Sequence, residues 1–254
     1  MTALGRAGRW IVLLFALAVA VLQRAVQPLT WRRPVRDEFW RFMDLVCVRN
    51  LHVTLITAAI AGVAVVGQGL YWLESVGTID VIREVTVYVM VREIAPLAVG
   101  LLALGSGGMV MFNEFSVLRR GGQLEALDRQ GIDPFILLVV PRVVALAIAV
   151  FAQSVFFVVV AFMVGTWAAV ALGVMTIGPL EFVALLLNEI GAVGYLALPA
   201  KSILIGLTIG VICAAAAVTG PTQGGAIAEP RSSTGFIQSM SGMLLVSTIL
   251  SLII

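Results

Sequence analysis

The stretch VVALAIAVFAQSVFFVVVAFMVGTWAAVAL, Val143 to Leu172, contains no charged residue. It sits inside a charge-free interval of 38 residues between Arg142 and Glu181. A helix needs roughly 20 apolar residues to cross a hydrocarbon layer about 30 Å thick. The interval therefore predicts one long membrane-crossing helix, followed by a turn signalled by Gly173, Gly178 and Pro179.

Working outward, the same reading repeats. Arg49 to Glu74 encloses 24 uncharged residues with His52 taken as neutral, and Glu93 to Glu114 encloses 20. Lys201 to Glu229 encloses 27, and 23 more follow Arg231. The expected fold class is an all-α integral membrane protein with about five spans, near 51–73, 85–112, 143–172, 201–219 and 235–254. Composition agrees. Apolar residues make up 61% of the 254 and charged residues 12%, about half the charged share typical of soluble domains, roughly 25%. A net charge of +2, scattered along the chain, gives no reason to expect nucleic acid. Cys47 and Cys213 suit buried free thiols better than a disulfide framework or a zinc site.

The N-terminus reads differently. Arg9 to Arg24 encloses only 14 uncharged residues, short for a span. No small-residue cleavage site follows to suggest a signal peptide; Trp31-Arg32-Arg33-Pro34 comes instead. A helix lying in the interface with its arginines on headgroups fits this pattern, and a first true span is the alternative. Residues 1–50 are thus expected to form a cytoplasmic N-terminal region and 51–254 a five-span domain.

Arginine supplies 15 of the 16 cations, Lys201 being the sole lysine. With these spans, one side receives thirteen arginines and the other only Arg83. The arginine-rich side is expected to be cytoplasmic, with the N-terminus inside and the C-terminus outside. Gly62, Gly67, Gly69, Gly206 and Gly210 are candidates for close helix contacts, because helices in lipid associate largely through small residues.

Between the second and third spans lies Gly121-Gly122-Gln123-Leu124-Glu125-Ala126-Leu127-Asp128-Arg129-Gln130-Gly131-Ile132-Asp133-Pro134. It predicts a helix of about two turns, ended by Gly131 in the left-handed region with Pro134 soon after. Leu124 and Leu127 share a face, with Glu125, Asp128 and Arg129 beside them. One reading is a solvated loop helix; the other is a docking helix for a soluble partner, since so short a helix needs bracing.

Several pieces occur together and in order: Arg92-Glu93-Ile94-Ala95-Pro96, Asn113-Glu114-Phe115, Gln123-Leu124-Glu125-Ala126-Leu127, Gly131-Ile132-Asp133-Pro134 and Val140-Pro141-Arg142. In this order and spacing they resemble the permease subunit of Mla-type (MlaE/YrbE-like) ABC transporters, the lipid-asymmetry family associated with MCE-domain proteins. The closest stretch runs from about Arg92 to Ala145. The Lys201-Ser202 pair opening the fourth span also agrees. Two departures stand out. The family's Gly-Arg-x-Gly reads here Gly105-Ser106-Gly107-Gly108, and its Ala-Glu-Leu-Gly reads Asn113-Glu114-Phe115-Ser116.

The resemblance implies a phospholipid transporter of the inner membrane. Two permease chains would pair, in the simplest case as a homodimer, above a cytoplasmic ABC ATPase dimer. A periplasmic MCE-domain protein would exchange lipid with them, and a small cytoplasmic accessory subunit is compatible with this plan. This chain would bind no cofactor and ATP would be used by the partner ATPase. A P-loop needs Gly-x-x-x-x-Gly-Lys-[Ser/Thr], whereas Lys201 follows Leu198-Pro199-Ala200. The resemblance carries ATPase coupling onto Gln123, Leu124, Glu125, Leu127, Asp128 and Gly131.

Arg92 and Glu93 are expected inside the outer half of the second span, where charges pair or face a cavity. Arg92 is a candidate for a headgroup phosphate, with Glu93 orienting it or a neighbour; the bland alternative is that both snorkel outward. Lys201 either snorkels or meets a headgroup. Glu114 is expected in a structural salt bridge at the inner surface, near Arg119 and Arg120; Pro134, Pro141 and Arg142 are read as structural. His52 suits a packed neutral imidazole. The Gly220–Ala226 loop has a phosphate cradle's glycines without its lysine, and reads as a flexible connection. A single histidine gives no catalytic constellation, so the chain is not expected to be an enzyme.

Two other functions compete. A secondary transporter normally keeps acidic residues at mid-bilayer and often shows an inverted repeat; no repeat is visible here, and beyond Glu93 no acid lies deep in a span. A non-transporting membrane scaffold is the third.

Overall fold

The computed structural model describes residues 3–67, 88–171, 191–219 and 232–253. Among these every regular element is helical. An N-terminal helix, α1 (Ala3–Val26), leads through a short 3-10 turn at Pro28–Thr30 into α2 (Arg33–Met43). The Trp31 indole donates to the Ala25 carbonyl at 2.8 Å and pins that corner.

From α2 the chain runs through a π turn at Asp44–Val48 into α3 (Leu51–Gly62). A π turn widens the helix and disturbs its carbonyl ladder. Buried Gln153 answers from the third span, donating to the Val46 carbonyl at 3.0 Å. Asn50 donates to the Leu45 carbonyl at 3.0 Å.

The second span opens on a π turn, Met90–Ile94, and continues as α4 (Ala95–Ala103). Pro96 explains the irregularity: it brings no N–H, and its ring crowds the carbonyl four residues back, on Arg92. A second π turn, Leu104–Gly108, holds three glycines and leads into α5 (Met109–Arg120). The two-turn helix follows as α6 (Gln123–Arg129). Asp133 caps the third span, its Oδ1 accepting the Phe135 N–H at 2.9 Å. After a π turn at Phe135–Val139 comes α7 (Val140–Ala171), 32 residues long. The last two helices are α8 (Gly191–Thr219), with Pro199 inside it, and α9 (Ser232–Ile253).

Among the described residues, five helical stretches are long and apolar enough to cross a membrane: Arg33–Val65, Met90–Arg120, Phe135–Ala171, Leu196–Ala217 and Gly235–Leu252. The expected all-α, five-span fold class is therefore what the structure has. The first stretch begins earlier than expected because α2 joins α3 through its π turn.

α7 is the central helix, packed against α2, α3, α4 and α8, and α9 lies against α8. Small residues allow the close approaches. A Cβ on Gly206 would lie 2.6 Å from the Ala147 Cα, and one on Gly210 3.0 Å from a Val143 methyl. A Cβ on Gly62 would collide with the Ala161 carbonyl. These three expected contacts are present. Gly67 is the last described residue of its segment and Gly69 lies outside, as do Arg83, the Gly173–Pro179 turn and the Gly220–Ala226 loop.

α1 packs on α7 and α8. Buried Val21, with Leu14, Leu17 and Ala18, faces the core, while Val12, Phe15, Leu22 and Val26 are exposed. The helix has 24 residues and takes in Arg6, Arg9 and Arg24, so its length exceeds the uncharged stretch that suggested it.

Candidate functional site

Two charged clusters and one exposed helix stand out. The first cluster joins the second, fourth and fifth spans. Lys201 is 2% exposed, and a buried ammonium needs a partner. It has one in Glu93, with Nζ 2.7 Å from Oε2. Ser251 completes the group, its Oγ lying 2.8 Å from Lys201 Nζ and 2.7 Å from Glu93 Oε1. The Ser247 carbonyl is also 2.8 Å from that Oγ. A hydroxyl has one proton, so Ser251 donates to either Glu93 or Ser247 while accepting from Lys201. Arg92, on the same π turn as Glu93, is buried with its Cζ 4.6 Å from the Tyr88 ring centroid, a cation–π distance.

α6 differs in kind. Gly122 (φ 67°) and Gly131 (φ 75°) bracket it in the left-handed region, where a Cβ is disfavoured. The Gly131 N–H closes on the Asp128 carbonyl and the Ile132 N–H on Leu127, ending the helix as its sequence predicts. No residue of α6 is buried. Gln123, Glu125 and Asp128 are exposed and Leu124 and Leu127 half-buried. The Glu125–Arg129 pair, 3.9 Å apart and more than three-quarters exposed, adds little to stability.

The second cluster lies where α2, α5 and α7 meet. Arg142 Nε is 2.6 Å from Glu38 Oε1, and Nη1 is 2.7 Å from Glu114 Oε2. The Nη1 contact is off the N–H axis, so it acts as an ion pair and not as an aligned hydrogen bond. Arg41 holds Glu38 through a two-point contact, at 2.9 and 3.0 Å, and reaches Glu114 at 3.5 Å. The Phe115 ring lies 4.8 Å and the Phe42 ring 5.8 Å from the Arg142 guanidinium carbon.

A family model described as "Permease MlaE" matches residues 39–253. The chain belongs to the MlaE permease family. It is thus a membrane permease subunit of a lipid-transport family and not a catalytic enzyme. The search of curated proteins finds no match to the chain.

For this MlaE permease, the structure corrects several sequence expectations. Lys201 does not snorkel, because the Glu93 carboxylate and Ser251 hold it inside. Glu93 holds Lys201, and Arg92 turns to Tyr88. Glu114 does make the expected salt bridge, and its partners Arg142 and Arg41 come from other helices. His52 is exposed and not packed within the chain. Cys213 is buried as expected and Cys47 only partly. Pro141 and Arg142 are buried at the start of α7, and Pro134 is half-buried just before the π turn that leads into it. Sequence reasoning missed Ser251, Glu38 and Arg41. Ser251 had only a faint signal, a serine four residues after Ser247 in an apolar helix.

Proposed function

We propose that this MlaE permease is the membrane subunit of an ATP-driven phospholipid transporter. Two copies pair in the inner membrane, with an ABC ATPase dimer below and a periplasmic MCE-domain protein above. The lipid passes between the inner membrane and that partner, in the service of outer-membrane asymmetry. The arginine bias supports a cytoplasmic N-terminus and α6, and a periplasmic C-terminus. α1 is then an interfacial helix on the cytoplasmic face, a reading favoured by its three arginines, with Leu14, Leu17, Ala18 and Val21 packed on the bundle and Val12, Phe15, Leu22 and Val26 left exposed.

The observation that carries the proposal is α6. A seven-residue helix is marginal in water, yet here two left-handed glycines set its ends and leave it unburied. That arrangement suits a surface for a soluble partner. Glu125 and Asp128 offer polar contacts and Leu124 and Leu127 a short apolar strip. In this reading Arg92, beside Glu93 on the same π turn, lies along the lipid path and meets the headgroup phosphate.

Replacing Leu124 and Leu127 by Asp tests the proposal, since unpaired carboxylates in a docking groove oppose binding. The double variant is expected to reach the membrane and to pair, but to lose its ATPase on purification. Retention of the ATPase together with transport would remove α6 from the coupling route.

A further inference from the structure

The Glu38–Arg41–Glu114–Arg142 quartet is more than a surface salt bridge. The Arg142 side chain is 3% exposed, and its two carboxylate partners come from different helices. α6 hangs between the end of α5 and the start of α7, and Glu114 and Arg142 sit at those two legs. Their contact at 2.7 Å ties the legs together. Glu38 ties the same guanidinium to α2, the lead-in to the first span. Two cations face two carboxylates, so the group is neutral, and Arg41, with a side chain 58% exposed, covers it from the outer rim. Phe115 and Phe42 hold the guanidinium where it is.

We propose that Arg142 is a positioning residue for energy coupling: it binds the two legs of the α6 loop and α2 into one rigid unit. A displacement of α6 by its ATPase then moves the first and third spans, and is not lost by splaying of the loop. This rests on the assignment of α6 as the ATPase contact. A guanidinium suits the task because its planar fork presents Nε and Nη1 to two carboxylates at once, which a lysine ammonium on a flexible stem does not reproduce.

The test uses the whole transporter in proteoliposomes and measures lipid moved per ATP hydrolysed. Arg142→Lys keeps the charge but loses the fork, and Glu114→Gln loosens one leg at a less buried site. In both, the ATPase is expected to copurify normally and ATP hydrolysis to persist. Lipid moved per ATP is expected to fall about tenfold, within the range by which networks of this kind alter coupling. Glu114→Asp, which keeps the carboxylate, should restore most of the ratio. An unchanged ratio in both variants overturns the proposal. So does failure of both to accumulate as folded protein, since the quartet would then serve stability alone. If no ATPase copurifies with the unaltered chain, the functional assignment fails and the clamp with it, an outcome distinct from an unchanged ratio.

Discussion

At the scale of single residues, charge in an apolar setting organises the molecule. Lys201 and Glu93 are 108 positions apart yet meet at 2.7 Å. Removing one partner of a buried pair strands the other, at a cost of about 3 kcal/mol. Lys201→Met alone should therefore lower stability in detergent more than the Lys201→Met, Glu93→Gln double variant. Thermal melts of the four proteins would show it; additive losses would mean that the pair carries no coupling. Arg92 makes a different prediction. If it meets the headgroup phosphate, Arg92→Ala should cut transport about tenfold or more, the weight of one charge-assisted hydrogen bond. Insertion and ATPase binding should be unchanged. Normal transport by a normally abundant variant would leave Arg92 a structural residue over Tyr88. The sequence marked Arg92, Glu93 and Lys201 as informative because charges are rare within spans. It did not mark their partners. Ser251 resembles any membrane serine that bonds back to a carbonyl four residues earlier, and Glu38 with Arg41 looks like part of a solvated basic run.

Among the elements, the spans were legible because lipid enforces both length and composition. Their irregularities were partly legible. Pro96 and the glycines at 105, 107 and 108 sit within or beside the two π turns of the second span, but the turn at Asp44–Val48 has no such residue. Buried Gln153 is what supports that turn, and a contact over so long a separation leaves no local pattern. α6 was the best-read element, with Gly131 at φ 75° where the helix end required it. The α7–α8 contact offers a test of packing. Gly206→Ala puts a methyl 2.6 Å from the Ala147 backbone, and overpacking of this kind costs about 1–3 kcal/mol. A lower melting temperature with unchanged ATPase copurification is expected. An unchanged melt would mean that α7 and α8 have room to part.

For the whole molecule, the asymmetry of the arginines carries the proposed orientation. The quartet and α6 lie at the end of the bundle that receives most of the arginines, and the Glu93–Lys201–Ser251 group joins the second, fourth and fifth spans elsewhere. Orientation is open to direct check. With Cys47 and Cys213 replaced by Ser, Gln130→Cys should resist an impermeant thiol reagent added outside intact spheroplasts and react once they are broken. Labelling from outside would invert the assignment. The central claim is that this chain carries lipid at the expense of ATP bound elsewhere. The complex should be purified in mild detergent, rebuilt in proteoliposomes, and assayed for release of a fluorescent phospholipid to a soluble acceptor. Transfer is expected only with hydrolysable ATP, and it should stop in the Leu124→Asp, Leu127→Asp variant. Transfer by the chain alone without ATP, driven by an imposed ion gradient, would contradict the account and make it a secondary transporter.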